Sequence, residues 1–220
     1  MSSPETPKAS PKGGPALVRD HGAAETLRKL SKEAESCRRC GLYKDATQVV
    51  FGAGPSAADL VLVGEQPGDM EDKAGEPFVG PAGRLLDRAL EEAGIDRTGC
   101  YVTNAVKHFK FFQRGKRRMH SRPNAGEVKS CAWWLGAELG LIQPKLVVAL
   151  GATALYSLLG RGFSVSALRG SVCRPDEAPP VLVTVHPAFV LRRHAGEAEF
   201  SRMVADLKEA RSFLRGTRTE

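Results

Sequence analysis

Glu65, Gln66 and Asp69 fall close together in Gly64-Glu65-Gln66-Pro67-Gly68-Asp69, directly after an apolar run. Glycines in such a turn let a ligand approach the backbone, and a carboxylate there can meet it. An ordinary strand-exit turn has the same composition. Asn104 lies four residues into a second apolar run. A buried amide needs partners for its donors and its acceptor, so Asn104 is either satisfied within the core or reads the polar edge of a ligand. His186 ends another run and precedes Pro187, which fixes the turn; its imidazole is placed to hydrogen-bond a ligand at a strand end or to play a structural part.

The cysteines suggest different chemistry. There are five, an odd number, which in a chain without an export signal argues against a disulfide framework and for metal or cluster ligation. Cys37-Arg38-Arg39-Cys40 is a CxxC pair delivered by a helical pattern over 24–36, where Leu27, Leu30 and Ala34 are spaced three and four apart. Charge is also concentrated. The chain carries 32 Lys+Arg against 25 Asp+Glu, a net +7. From Lys107 to Gly126 there are seven basic side chains (Lys107, Lys110, Arg114, Lys116, Arg117, Arg118, Arg122), no acid, and interleaved Phe109, Phe111 and Phe112. Such a run is a solvated loop, or a surface where a backbone phosphate and a base are both handled.

The elements that must position these residues alternate. Short apolar runs at 59–63, 101–106, 145–150 and 181–185 read as strands. Helical patterns occupy about 81–93, 125–139 and 197–214. Continuous apolar strands separated by helices imply a parallel sheet covered on both faces. The expected fold is α/β, a three-layer α/β/α sandwich with a central, mainly parallel four-stranded sheet. Ligands in such folds bind beyond the carboxyl ends of the strands, where the sequence puts residues 64–68, Asn104, Gly151 and His186-Pro187. Residues 1–22, rich in Pro, Ser, Gly and Lys, read as a disordered tail, and 23–220 as one domain. No apolar run approaches a membrane span, and the N-terminus has neither an h-region nor a cleavage site. The expected compartment is cytoplasmic.

Read in order, the CxxC pair, GEQPG, GEPFVGPAGRLLD, YVTNAVK, LGATA and VHPAFVLR resemble the uracil-DNA glycosylase superfamily in its iron–sulfur branch, from about residue 24 to the C-terminus. Gln66 and the inserted Lys116-Arg117-Arg118-Met119-His120 resemble the family-X glycosylases, whose loop histidine becomes covalently joined to DNA. The resemblance implies a DNA repair enzyme that excises uracil, with single strands favoured, and is trapped on the abasic sugar through His120 after one turnover. It implies Phe78 as the ring on which uracil stacks and Asn104 as the reader of its edge. Glu65, Gln66 and Asp69 form the first catalytic motif, and His186 donates to the uracil oxygen that gains charge. Lys116, Arg117 and Arg118 would hold the loop against phosphates. A neutral imidazole beside a carboxylate is a competent nucleophile.

For the implied [4Fe–4S] cluster, Cys37, Cys40 and Cys131 fit the pattern, and His108 stands where the commoner relatives carry a fourth Cys. Cys100 is the competing ligand, Cys173 is outside the pattern, and a tetrahedral zinc site is the alternative. The expected partner is uracil-containing DNA, with no membrane partner, and the chain is expected to be a monomer. Two other functions fit the same residues: a conventional multiple-turnover glycosylase, and a non-catalytic uracil-DNA binding protein.

Overall fold

The computed structural model describes residues 23–192 and 196–217; the expected tail over 1–22 lies outside them. In chain order the elements are α1 (Ala23–Ala34), β1 (Leu60–Gly64), α2 (Asp69–Ala74), α3 (Pro81–Ala93), β2 (Cys100–Asn104), β3 (Phe111–Arg114), β4 (Arg117–His120), α4 (Ala125–Ile142), β5 (Leu146–Leu150), α5 (Ala152–Leu159), α6 (Val165–Leu168), β6 (Val172–Cys173), β7 (Val181–Thr184), α7 (Pro187–Arg192) and α8 (Gly196–Gly216).

The central sheet has the order β2-β1-β5-β7-β6. The first four strands are parallel and β6 pairs antiparallel with β7. The sheet therefore has five strands where the sequence led us to expect four, because Val172–Cys173 is too short to announce itself by periodicity. Side chains alternate between faces. Val61, Val63, Tyr101, Val147, Ala149, Val181 and Val183 pack under α1, α4 and α5, while Leu60, Leu62, Val102, Leu146, Val148 and Leu182 pack under α3, α7 and α8. Both faces are thus covered, which is why the strands carry no polar alternation. This is the three-layer α/β/α architecture.

Local sequence sets the helix positions. Pro81 opens α3 at a first-turn position that needs no amide donor. Asn124 caps α4: its side chain accepts from the Glu127 amide at 2.9 Å and the Glu127 carboxylate accepts from the Asn124 amide at 2.7 Å, a reciprocal capping box. The basic segment, expected as a loop, contains the β3–β4 hairpin. Its two-residue turn is Gly115-Lys116, with Gly115 at φ 58°; the positive φ at the first turn position is what glycine permits at low cost. Among the described residues no helix is long and apolar enough to cross a membrane.

Candidate active site

The chain order of the sheet reverses between β1 and β5, and the crevice beyond their carboxyl ends collects side chains from four elements. Asn104 ends β2, Glu65 follows β1, Thr153 lies in the first turn of α5 and His186 follows β7. Asn104 and Phe78 meet over Gly64: a Cβ at that position would lie 2.4 Å from Asn104 Oδ1 and 2.7 Å from Phe78 Cζ, so any side chain there would displace both. Phe78 is buried at φ 59°. Left-handed backbone at a non-glycine residue costs about 1–3 kcal/mol and persists only where the surroundings enforce it. Here the buried Glu71 carboxylate does so, accepting from the Gly80 amide at 2.7 Å and the Gly68 amide at 3.1 Å. The Phe78 ring faces the His186 ring, with centroids 6.3 Å apart and planes inclined by 27°.

His186 Nδ1 accepts a hydrogen bond from the Ala188 amide at 3.1 Å. In the neutral ring the proton is then on Nε2. Burial pushes the imidazole pKa down to about 4, against the opposing pull of Glu65, so His186 is a neutral donor at physiological pH. Glu65 is held from three sides. Thr153 Oγ1 donates to its Oε2, His120 Nε2 lies 3.2 Å from its Oε1, and Arg122 Nε is 3.8 Å from Oε2. Burial alone would raise this carboxyl, but the hydrogen bonds from His120 and Thr153 outweigh it and hold the group below its ordinary value. The site thus pairs an ionised carboxylate with two imidazoles.

His120 reaches this position because the hairpin is fastened at its stem and along its inner face. The Gln66 amide donates to the carbonyls of Lys110 and Ser121, each at 3.1 Å, and accepts from the Lys110 amide at 3.1 Å. It clamps the two stems. Arg118 turns inward instead of facing a phosphate: its Nε lies 2.5 Å from Asp69 and its Nη1 2.7 Å from Asp72 and 3.1 Å from Thr47. Its guanidinium also covers the rings of Phe109 and Phe111. Arg118, expected to hold the loop against phosphates, has its donors engaged by carboxylates of the same chain. Gln66 and Asp69, expected in the first catalytic motif, are engaged within the chain as well. The first bonds main chain and the second is taken by Lys73 and Arg118. Lys116 and Arg117 remain exposed.

The cysteines divide between the two cores. Cys37 and Cys131 are buried in the core under α1 and α4, with Cys40 packed against it, and the three thiols are near enough to influence one another's ionisation. Trp134 Nε1 donates to Cys37 Sγ at 3.2 Å, and the Lys107 amide donates to Cys131 Sγ at 3.2 Å. Burial raises the Cys40 thiol and pushes Cys131 up to about 12. His108, next in sequence to Lys107, is buried with its Nδ1 lacking any hydrogen-bond partner. Cys100 belongs to the opposite core and its thiol donates to the Asp96 carbonyl at 3.3 Å. Among the described residues no three His, Cys, Asp or Glu side chains close on a point that one metal ion would occupy.

A family model of the uracil DNA glycosylase superfamily matches residues 51–208, a span that includes every crevice residue described above. The chain belongs to the uracil-DNA glycosylase superfamily. It is 36% identical over 193 residues to a type-4 uracil-DNA glycosylase of Thermotoga maritima, covering 87% of this chain and 96% of that one. It is 37% identical over 177 residues to a type-4 uracil-DNA glycosylase of Archaeoglobus fulgidus, covering 77% and 85%. A type-5 uracil-DNA glycosylase of Thermus thermophilus is 33% identical over 125 residues, half of this chain and 53% of that one.

Within this uracil-DNA glycosylase fold, Glu65, Phe78, Asn104, His120 and His186 come together, and Gln66, Asp69 and Arg118 form the support beneath the hairpin. Sequence reasoning missed Glu71, Thr153 and the buried Lys107–Glu138 pair, whose Nζ and Oε2 are 2.5 Å apart. Glu138 also accepts from Tyr101 and Thr103, and Lys107 Nζ donates to the Asn104 carbonyl at 2.9 Å. This pair links the thiol-bearing core to the base of Asn104. The signal for Glu71 was its place three residues after Gly68 at a helix start; Lys107 and Glu138 left none.

Proposed function

We propose that this superfamily member excises uracil from DNA and that His120 then captures the sugar. The observation that carries the reading is the His120–Glu65 contact of 3.2 Å within a crevice already lined by Phe78, Asn104 and His186. A uracil turned out of the stack rests on Phe78 while the Asn104 amide pairs with its polar edge. As the bond between the base nitrogen and C1′ breaks, its electron pair passes to the uracil. The charge that appears on the ring oxygen accepts the Nε2–H of neutral His186. C1′ is left electron-poor, facing the ionised Glu65.

An imidazole nitrogen of His120 then donates its lone pair to C1′, forming an N–C1′ bond. The resulting imidazolium gives up its remaining ring proton to Glu65. Gln66, Asp69 and Arg118 act as positioning residues, because they hold the hairpin that presents His120. Lys116 and Arg117 contact the DNA backbone. Single strands are favoured since no partner base must be unpaired. Cys37, Cys40, Cys131 and His108 suit a [4Fe–4S] cluster: the donor set is soft, two of the sulfurs already receive N–H hydrogen bonds, and the orphaned His108 Nδ1 would gain a partner. The cluster would fasten α1 to α4 and the hairpin stem.

The test is a denaturing gel with uracil-containing single-stranded DNA. The wild-type chain is expected to give a heat-stable protein–DNA band, and His120→Ala to lose that band while releasing alkali-labile abasic product at a rate within about tenfold of wild-type base loss. Loss of both products would assign His120 to cleavage or DNA positioning, and a persistent adduct would assign the nucleophile elsewhere. Repeated turnover by the wild-type chain would favour the conventional glycosylase.

A further inference from the structure

The two faces of the hairpin are chemically different. The register pairs Phe111 with His120, Phe112 with Met119, Gln113 with Arg118 and Arg114 with Arg117, and residues directly opposite each other share a face. Phe111, Gln113, Arg118 and His120 form the inner face: Phe111 stacks on the buried Phe109 at 5.2 Å, Arg118 reaches α2, and His120 reaches Glu65. Phe112, Arg114, Arg117 and Met119 form the outer face. There Phe112 is 55% exposed and Met119 36% exposed. Arg114, Arg117 and the turn residue Lys116 are exposed as well. No ion pair involving these three cations is found among the described residues.

An uncovered aromatic–thioether pair on a two-stranded ribbon is a liability unless something covers it, and the charge around it restricts what that can be. No acid occurs between Lys107 and Gly126, so a second copy of this face would set cations against cations. A nucleic-acid strand supplies phosphates for the cations and a base face for the ring. Same-face positions along a strand are about 7 Å apart, comparable with one nucleotide step of an extended single strand.

We propose that the outer face of the hairpin is a seat for single-stranded DNA. One unpaired base of the strand that carries the uracil lies on Phe112 and Met119, with neighbouring phosphates along Arg114, Lys116 and Arg117. In a duplex the base faces are occupied by their neighbours in the stack, so a duplex engages the cations and leaves Phe112 uncovered. The seat rests on the DNA-directed activity proposed above and gives it a physical source of strand preference. It also separates the duties of one hairpin, whose inner face presents His120 while its outer face holds the adjoining strand.

The experiment uses the full chain carrying His120→Ala, so that no covalent product forms, titrated by fluorescence anisotropy with a short uracil-free single strand and with the same sequence as a duplex. Adding Phe112→Ala is expected to weaken single-strand binding about tenfold, within the range for one lost base–aromatic stack, and to change duplex binding less than about twofold. Met119→Ala should give a smaller loss of the same kind. Phe112→Trp should restore single-strand affinity, which a merely disturbed hairpin would not do. Equal losses on both DNA forms, or no loss on either, overturn the seat. So does a dimer in sedimentation that Phe112→Ala dissolves, which would give the face to a second copy. Because the titrated DNA lacks uracil, a wild-type chain that excises nothing defeats the proposed activity and leaves the seat to stand or fall by its own titration.

Discussion

In the proposed reaction His186 acts through one hydrogen atom, and its surroundings determine where that atom sits. The Ala188 amide occupies Nδ1, and burial brings the pKa down to about 4. In the unfolded chain an imidazole titrates near 6.5. Between these values the unfolded state binds more protons than the native state, so stability rises with pH across that window. The contribution is complete above about pH 6.5 and is lost as pH falls toward 4, an effect of about 2 kcal/mol after allowance for the partial exposure of the ring. Urea midpoints at pH 7.5 and 4.5 should therefore differ less for His186→Asn than for the wild-type chain. Buried His108 is shifted in the same direction and is common to both proteins, so its contribution cancels; equal differences would sink the argument. Glu65 cannot account for the window, since its pKa is lowered and its contribution fails only at more acid pH. The sequence made His186, Asn104 and Glu65 legible as polar groups at strand ends. It could not reveal that the Gln66 amide bonds only main chain, because a side chain that holds a backbone carbonyl requires no particular partner residue type.

At the scale of elements, the sheet and its major helices were readable because burial on both faces leaves uninterrupted apolar runs, as at Leu60–Gly64 and Leu146–Leu150. The hairpin was not. Its strands, FFQR and RRMH, carry no apolar alternation, since one face is aromatic and cationic toward solvent and the other is aromatic and cationic toward Asp69 and Asp72. Its order depends on its fastenings, chiefly the three hydrogen bonds of Gln66. Removing them with Gln66→Ala leaves the stem carbonyls of Lys110 and Ser121 short of a donor at about 1 kcal/mol per bond. His120 then samples positions away from Glu65. The adduct should form about tenfold more slowly in single-turnover experiments, while base loss, read as adduct plus abasic product, falls less. A matching fall in both would place Gln66 at the glycosidic bond instead. On the far side of the sheet α1 touches the rest of the protein chiefly through α4, where Cys37, Cys40 and Cys131 gather. Iron and acid-labile sulfide should accompany the purified chain, and Cys131→Ala should lower both the iron content and the thermal midpoint. Zinc alone in elemental analysis is the contrary result.

The molecule as a whole carries +7, and seven cations lie on one acid-free segment, yet few of those seven are free to meet DNA. Lys107 is buried against Glu138, Lys110 is paired with Glu127 at 2.9 Å, and Arg118 is held by Asp69 and Asp72. Arg122 sits beside Glu65. Outside any ion pair among the described residues are Arg114, Lys116 and Arg117, the three that share the outer edge of the hairpin. Each phosphate neutralised on a single strand contributes about 0.7 to the slope of log affinity against log salt. The hairpin's share of that slope is then about 2, where a count of all seven residues would give about 5. Replacing Arg114, Lys116 and Arg117 together with Gln, in the His120→Ala background so that trapping does not hide dissociation, should flatten the slope by about 2 units. Lys110→Gln should leave it nearly unchanged, because that ammonium is already neutralised by Glu127. A large effect of Lys110, or a slope indifferent to the triple replacement, would mean that DNA crosses another surface of the molecule and that the hairpin's charge serves only to hold His120 in place.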